Sequence, residues 1–215
     1  MVATHAESDA LRILKLGPLG PWSNNAFILI DKATNQSAII DAVPEIDQVL
    51  AATQDTTLSM VLFTHSHPDH IASFDELRKT VDVPFYMHPD EPWADHSRID
   101  HAVRGGESLA LGETTITAIH TPGHTPGSTC YYSAPYVIVG DTLFPGGPGR
   151  TADNDSLQTL IASVTERLYT LPDTSLMFNG HGDDCTVAQS KAEYAEYAAR
   201  EHDAGLHGDV LWARD

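Results

Sequence analysis

Residues 64–70 read Thr64-His65-Ser66-His67-Pro68-Asp69-His70, and they directly follow Ser59-Met60-Val61-Leu62-Phe63, an apolar run of strand length. Such a run is typical of a strand that is buried on both faces. Neutral imidazole is the commonest metal ligand in proteins, and carboxylates often accompany it at zinc or iron. The chain has 12 histidines among 215 residues, and its composition gives this pattern odds of roughly 0.003 of arising by chance. The segment therefore predicts a metal-binding loop at the end of a buried strand.

Three later segments place further metal-binding residue types at the ends of apolar runs. His124 stands among the Pro and Gly residues of segment 121–128, Asp141 follows the run 136–140, and His181 lies between two glycines after the run 176–179. Each segment alone is as compatible with a turn or a cap as with a ligand. Together with the first motif, they predict one metal centre assembled from several strand ends.

The spacing of apolar residues predicts alternating strands and helices. Strands are expected at residues 25–31, 37–41, 59–64, 83–88, 109–111, 114–120, 128–132, 136–140 and 176–179, and helices at 44–53, 71–81, 156–169 and 187–203. Asp155 or Ser156 is expected to cap the third helix. Residues 89–106 predict a long loop with one helical turn, and Trp93 within it suggests a lid. The order of elements indicates a mixed α/β fold whose candidate ligands lie where strands end.

Composition excludes several classes of function. The formal net charge is -18, and a chain this acidic repels phosphate backbones and anionic membranes, which argues against nucleic-acid or membrane partners. No apolar run reaches the roughly 20 residues that span a bilayer, and residues 1–17 lack the pattern of a signal peptide. Cys130 and Cys185 form no CxxC pair, so reduced thiols are expected. These features predict a cytoplasmic protein. We further expect a monomer or homodimer that acts on a small-molecule substrate.

The motifs quoted above resemble those of the metallo-β-lactamase superfamily, and within it the short, single-domain glyoxalase II-like hydrolases. The resemblance extends roughly from Asn24 to His181. It implies an α/β (α+β) fold with four layers, the αββα metallo-β-lactamase sandwich. It also implies that residues 1–215 form one such domain, with a short helical extension from about residue 186.

The resemblance further implies a ligand set for two divalent ions, with zinc as the first choice and iron or manganese as alternatives. His65, His67 and His124 would hold one ion, and Asp69, His70 and His181 the other. Asp141 would bridge the two ions, and Asp41 would orient the histidine loop from behind. The implied chemistry is hydrolysis of a thioester or related ester by a bridging hydroxide, with Asp69 and Asp141 as catalytic residues.

Several alternatives stay open within this resemblance. The bridging Asp141 is typical of glyoxalase II, thioesterases and lactonases rather than of β-lactamases, so a lactonase or other esterase is one alternative. The segment Gly149-Arg150-Thr151 is similar to one in mononuclear iron persulfide dioxygenases, although Ala152-Asp153 then departs from their Asp-Phe. Only 34 residues follow His181 in the 215-residue chain, which puts recognition of glutathione by a helical C-terminal domain in doubt. Substrate-binding candidates complete the prediction: Trp22, Asn24, Phe144 and Arg150.

Overall fold

The first sheet of the protein, seen in a computed structural model that describes residues 3–212, has seven strands in chain order. They are β1 (Thr4–Glu7), β2 (Leu11–Leu19), β3 (Asn24–Asp31), β4 (Gln36–Ile40), β5 (Thr57–Leu62), β6 (Phe85–Met87) and β7 (His101–Ala102). Strands β1 to β4 pair antiparallel, whereas β4 to β7 pair parallel. The parallel half therefore sends the carboxyl ends of β4, β5 and β6 to one edge of the sheet.

The second sheet has six strands in the order β15-β14-β11-β10-β9-β8. They are β8 (Ser108–Leu111), β9 (Thr114–His120), β10 (Thr129–Ser133), β11 (Tyr136–Gly140), β14 (Leu176–Asn179) and β15 (Cys185–Thr186), while β12 (Leu143–Phe144) and β13 (Gly147–Pro148) form a separate ribbon. Strands β11 and β14 are parallel neighbours, with Gly140 opposite Asn179. The residues that follow these two strands are consequently brought side by side.

Within residues 3–212, four α-helices cover the outer faces of the sheets. They are α1 (Ile46–Ala52), α2 (Phe74–Thr80), α3 (Asn154–Glu166) and α4 (Val187–Ala198), and short 3-10 turns lie at His96–Arg98 and Leu168–Thr170. One apolar cluster lies between the two sheets, a second joins the first sheet to α1 and α2, and a third joins the second sheet to α3 and α4. Strand residues alternate between clusters, so Leu29 faces the inner core and Ile28 the outer one. This arrangement confirms the predicted four-layer αββα sandwich.

Most predicted elements are present, with some corrections. The third helix begins earlier than expected, because the Asp153 side chain accepts the Ser156 N–H at 2.8 Å and is the N-cap in place of Asp155 or Ser156. The last helix ends at Ala198 rather than at residue 203. Strands β1 and β2 were not predicted, since Lys15, Gly17 and Pro18 interrupt the alternation of apolar residues in β2.

Within residues 3–212, no helix is long and apolar enough to cross a membrane. Cys130 and Cys185 are both buried and free. Burial raises the pKa of the Cys130 thiol to about 11, so this thiol stays protonated at neutral pH. Both cysteines thus serve as small apolar core residues of the second sheet.

Candidate metal centre

The predicted ligands lie on four loops that meet at one edge of the sandwich. Residues 64–70 connect β5 to α2, His124 lies in the turn between β9 and β10, and Asp141 and His181 directly follow the β11–β14 region. The Thr129 N–H donates to the Thr64 carbonyl at 2.8 Å, and the Gly180 N–H donates to the Gly140 carbonyl at 2.9 Å. The first of these main-chain hydrogen bonds joins segment 64–70 to the strand that follows His124, and the second joins the chain beside Asp141 to the chain beside His181.

The donor atoms of the predicted ligands form three overlapping groups. In each group all atoms lie within 4.8 Å of one another, and the groups are His65/His67/His124, Asp69/His70/His181 and His65/His70/Asp141. In the first group, the Nε2 atoms of His65 and His124 are 3.3 Å apart. Zinc–nitrogen bonds of about 2.0–2.1 Å in tetrahedral geometry require ligand atoms separated by roughly 3.4 Å. The spacing of this pair matches that requirement.

Asp141 lies between the first two groups. Its Oδ1 is 3.3 Å from His70 Nε2, and its Oδ2 is 3.5 Å from His181 Nε2 and 3.8 Å from His124 Nε2. Among the described residues, His70 Nε2 and Asp141 Oδ1 are buried atoms without a hydrogen-bond partner. Buried polar atoms are rarely left unpaired, and a cation between them would satisfy both. The donor set therefore fits metal ions.

Gly180 makes the close approach of these side chains possible. A Cβ atom at this position would overlap Asp141 Oδ1 and would lie 2.8 Å from His70 Cε1. Any larger residue would displace one of the two side chains. The glycine that precedes His181 is therefore a requirement of the cluster.

The second ring nitrogen of four histidines faces an oxygen atom. His124 Nδ1 donates to the Arg150 carbonyl at 2.8 Å, and His181 Nδ1 donates to the Trp22 carbonyl at 3.0 Å. His65 Nδ1 lies 3.1 Å from Thr64 Oγ1, and His70 Nδ1 lies 2.8 Å from Asp41 Oδ2. Such contacts direct each Nε2 into the cluster, as is usual for metal-binding histidines.

Asp41 sits behind the histidine loop, where the resemblance placed it. The residue is buried and follows β4 with a left-handed backbone (φ 63), which aspartate tolerates better than most residues. Its carboxylate accepts the Thr64 N–H and the Thr64 hydroxyl, each at 2.7 Å, besides its contact with His70. Asp41 thus ties the first and last parts of segment 64–70 together.

The histidine pKa values are shifted in opposite directions in the first and second ligand groups. Burial and neighbouring imidazoles lower the pKa of His65 well below its ordinary value, and lower that of His67 to about 4. Burial also opposes the charging of His181, but hydrogen bonds to Asp141 and Asp69 raise its pKa to about 10. His65 and His67 are therefore neutral near pH 7 and can donate lone pairs, whereas a cation entering beside His181 displaces a proton.

The four predicted substrate-binding residues surround the cluster in different ways. Trp22 is 54% exposed, Asn24 is buried and donates to Asp69 Oδ2 at 2.7 Å, and the Phe144 ring lies 6.3 Å from that of His181. The Arg150 side chain points elsewhere, into an exposed ion pair with Asp209 at 2.9 Å. Only the carbonyl of Arg150 contacts the cluster, through His124.

Seven histidines lie outside the three donor groups of the described residues: His5, His88, His96, His101, His120, His202 and His207. In contrast, two contacts of the site were not identified from the sequence. Glu91 is a buried carboxylate beside Ser66 and Thr125, and Trp93, considered only as part of a lid, packs its ring 4.8 Å from that of His67. Both residues belong to the long loop after β6, and no periodicity in that loop distinguishes them from their neighbours.

An αββα sandwich with a His/Asp cluster at one sheet edge defines a class of metal-binding α/β proteins. The chain belongs to the metallo-beta-lactamase superfamily, whose family model matches residues 19–196. A probable metallo-hydrolase, YqgX of Bacillus subtilis (strain 168), is 36% identical over 193 residues, covering 79% of this chain and 90% of the relative. The hydroxyacylglutathione hydrolase of Bartonella henselae (strain ATCC 49882 / DSM 28221 / CCUG 30454 / Houston 1) is 33% identical, covering 74% of this chain and 62% of that enzyme.

The chain is also similar in fold to the solved structures of several different proteins. ETHE1 from Myxococcus xanthus has a TM-score of 0.77 and 29% identity, covering 87% of this chain and 86% of that one. The B3 metallo-beta-lactamase BLEG-1 has a TM-score of 0.74 and 28% identity, covering 84% and 96%. TTHA1623 in a di-iron-bound form has a TM-score of 0.70 and 27% identity, covering 83% and 96%. The chain is therefore a member of a superfamily of metallo-hydrolases.

Proposed function

We propose that this protein is a hydrolase with two divalent metal ions that cleaves a thioester or a related ester, like the hydroxyacylglutathione hydrolases to which it is similar. The observation that carries the proposal is the position of Asp141, which lies within 3.8 Å of donor atoms from both ligand groups. His65, His67 and His124 would hold one ion, Asp69, His70 and His181 the other, and Asp141 both. Zinc is the proposed metal, and the di-iron form of TTHA1623 makes iron the main alternative.

Bound at this site, the ions would lower the pKa of water toward neutrality and polarise a substrate carbonyl. The protein supplies orientation. Asn24 donates to Asp69 Oδ2 at 2.7 Å and so fixes the orientation of the carboxylate. The buried Asp41 holds His70, and the Arg150 carbonyl holds His124. No side-chain nucleophile is required.

The surroundings of the cluster favour a substrate with an apolar group. Large apolar side chains that are exposed within residues 3–212 are Trp22, Trp93 and Leu211. The Trp93 ring packs on His67, whereas Trp22 contacts His181 through its main-chain carbonyl. Trp93 also lines a cavity of about 250 Å³ together with Ile71 and Phe74. We propose that this cavity receives the apolar part of the ester.

A lactonase or another esterase would use the same site, and the geometry does not rank these substrates. A mononuclear iron persulfide dioxygenase is the candidate from a different class. Its support is the segment Gly149-Arg150-Thr151 and the likeness to ETHE1.

We also propose a cytoplasmic location for this protein. The free, buried Cys130 and Cys185 support it, because free thiols are typical of reducing compartments.

Metal analysis combined with a rate panel tests the proposal. We expect two metal equivalents per chain and hydrolysis of thioesters, lactones or simple esters above that of β-lactams and phosphodiesters. One iron per chain, together with oxygen uptake on glutathione persulfide, would replace the hydrolase with the dioxygenase. A β-lactam as the best substrate would retain the metal centre and refute the ester specificity.

A further inference from the structure

Glu91 is a buried carboxylate for which the proposed chemistry has no use. The residue is 2% exposed and lies in the loop between β6 and β7. Its Oε2 accepts the Ser66 N–H at 2.6 Å and the Ser66 hydroxyl at 2.7 Å, and its Oε1 accepts the Thr125 hydroxyl. Within residues 3–212, this carboxylate forms no ion pair with a basic side chain. A buried charge without a counter-charge is costly, so a cation nearby would explain its presence.

The contacts of Glu91 coincide with one ligand group. Ser66 stands between His65 and His67, and Thr125 follows His124. All three histidines of the first group are therefore one residue away from a hydrogen-bond donor of the same carboxylate. No other carboxylate among the described residues has this relation to the group.

The surrounding chain is shaped to admit this side chain. A Cβ atom on Gly127 would lie 2.9 Å from the Glu91 backbone nitrogen and from its Oε1. His96 Nε2 donates to the Glu91 carbonyl at 2.6 Å, which anchors the main chain of the same residue. The carboxylate is therefore held from both ends in one position beside the two loops.

Asp41 provides a parallel on the other side of the cluster. It is also buried, accepts two donors from Thr64, and contacts His70 of the second group. Each group of proposed ligands thus has one buried carboxylate behind it, and the resemblance identified only Asp41.

We propose that Glu91 is a positioning residue of the His65/His67/His124 group, and that its buried negative charge strengthens the binding of a divalent cation there. The inference rests on the proposed metal centre. A charge in a poorly hydrated environment is weakly screened. Removal of a residue behind a metal ligand typically weakens metal binding by about 10- to 100-fold.

The test compares Glu91→Gln with Asp31→Asn, both in a His181→Ala background that weakens the second group. Asp31 is a matched control because it is buried, accepts donors from Thr34 and Thr114, and lies at the opposite end of the first sheet. Zinc is titrated into metal-free protein against a chromophoric chelator, and thermal unfolding of the metal-free forms is recorded alongside. We expect Glu91→Gln to weaken zinc binding by about 10- to 100-fold, and Asp31→Asn to leave it within about twofold of the parent.

Glu91→Asp separates charge from structure and serves if Glu91→Gln does not fold. The shorter side chain keeps the charge but cannot reach both Ser66 and Thr125, so we expect lower stability and a zinc affinity between those of the parent and of Glu91→Gln. Equal zinc affinities for Glu91→Gln and Asp31→Asn, or an equal loss in Glu91→Asp and Glu91→Gln, would refute the role of the charge. A parent protein that binds no zinc, cobalt or iron would instead refute the proposed metal centre itself.

Discussion

Asp141 is the residue on which the proposed two-metal site depends most, because it lies beside donor atoms of both ligand groups. Its two oxygens face different sets of donors, with His70 on one side and His181 and His124 on the other. Burial alone would raise the pKa of Asp141, but the neighbouring His70 and His181 lower it well below the ordinary value. The carboxylate is therefore ionised at neutral pH and available as a bridging ligand.

Replacing Asp141 with Asn should abolish most hydrolysis while leaving the fold intact. The amide keeps the shape but loses the charge shared by both groups. We expect kcat/KM to fall by roughly 10³-fold, which corresponds to about 4 kcal/mol of transition-state stabilisation. Steady-state kinetics after metal reconstitution, with circular dichroism as the control for folding, measure the effect. A variant within tenfold of the parent would show that the bridge is not needed.

His88 gives a pH dependence that is independent of the proposed metal ligands. Its ring is buried and stacks on that of His120 with centroids 4.0 Å apart. Burial lowers the pKa of His88 from 6.5 to about 4, and the adjacent His120 adds to this. The folded state resists protonation of His88. The stabilisation that its neutral ring gives to the folded state is therefore fully present above pH 6.5 and is lost as the pH falls toward 4.

We therefore expect His88→Asn to be less sensitive to acid than the parent. Asn can still accept the Asp90 N–H that His88 Nδ1 accepts at 3.2 Å. Urea unfolding of the metal-free proteins at pH 7 and pH 4.5 should show the parent losing its advantage over the variant between these values. A constant difference in the free energy of unfolding would contradict the pKa shift.

At the level of elements, the loop between β6 and β7 borders the cluster. It contributes Trp93, which is 55% exposed and lies against His67, and its main chain is fixed through the Trp93 N–H to Ser66 Oγ at 3.2 Å. The exposed face of this indole can pack against a further apolar group. We propose that the apolar part of the substrate is that group.

Truncation of this side chain should weaken substrate binding more than turnover. For an ester with an apolar acyl group, Trp93→Ala should raise KM by about tenfold and change kcat little. The rise in KM corresponds to a loss of roughly 1.4 kcal/mol of apolar contact with the substrate. Leu211→Ala is the control, because Leu211 is 61% exposed and lines a different cavity, with Tyr197 and Arg200. Equal KM values for both variants would remove Trp93 from the substrate site.

A second element tests the corrected start of α3. The Asp153 carboxylate accepts the Ser156 N–H, whereas Asp155 already lies inside the helix. Asp153→Ala should lower the free energy of unfolding through loss of the N-cap, and Asp155→Ala should lower it by less than half as much. Urea denaturation measures both, and a larger effect at Asp155 would restore the original prediction.

At the scale of the whole molecule, the cluster is also a joint between the two sheets. Segment 64–70 leaves the first sheet, whereas His124, Asp141 and His181 leave the second. A cation bound by both sets would connect the halves of the sandwich and stabilise the folded state by mass action. Without one, buried atoms such as His70 Nε2 are left without a partner.

Chelation should consequently affect stability and activity together. With metal at 100 times its dissociation constant, the loss amounts to about 2.7 kcal/mol per site, and the melting temperature should fall by several degrees. Addition of zinc should restore both properties. Loss of activity with an unchanged melting curve would indicate that the ions do not join the sheets.

The sequence pattern predicted the strands and proposed the ligands, whereas the layers were implied by the resemblance. The apolar runs of β3, β4 and β11 and those before His65 and His181 are local signals for strands, and the structure confirms the sandwich that the resemblance implied. The N-cap of α3 was misplaced because Asp153, Asp155 and Ser156 are all good caps, and only the position of the preceding chain chooses among them. Strand β2 was missed because its partner β3, not its own pattern, makes it a strand.

The local order of residues was enough to predict which candidate ligands stand at strand ends, because they follow apolar runs in the sequence. How those strand ends meet depends on long-range pairing, which the sequence pattern does not show. Parallel pairing of β11 with β14 puts Asp141 beside His181, and the sheet-to-sheet contact puts His124 beside His65. The role of Glu91 emerged in the same way, because a carboxylate 25 residues from Ser66 and 34 from Thr125 becomes their partner only after the chain has folded.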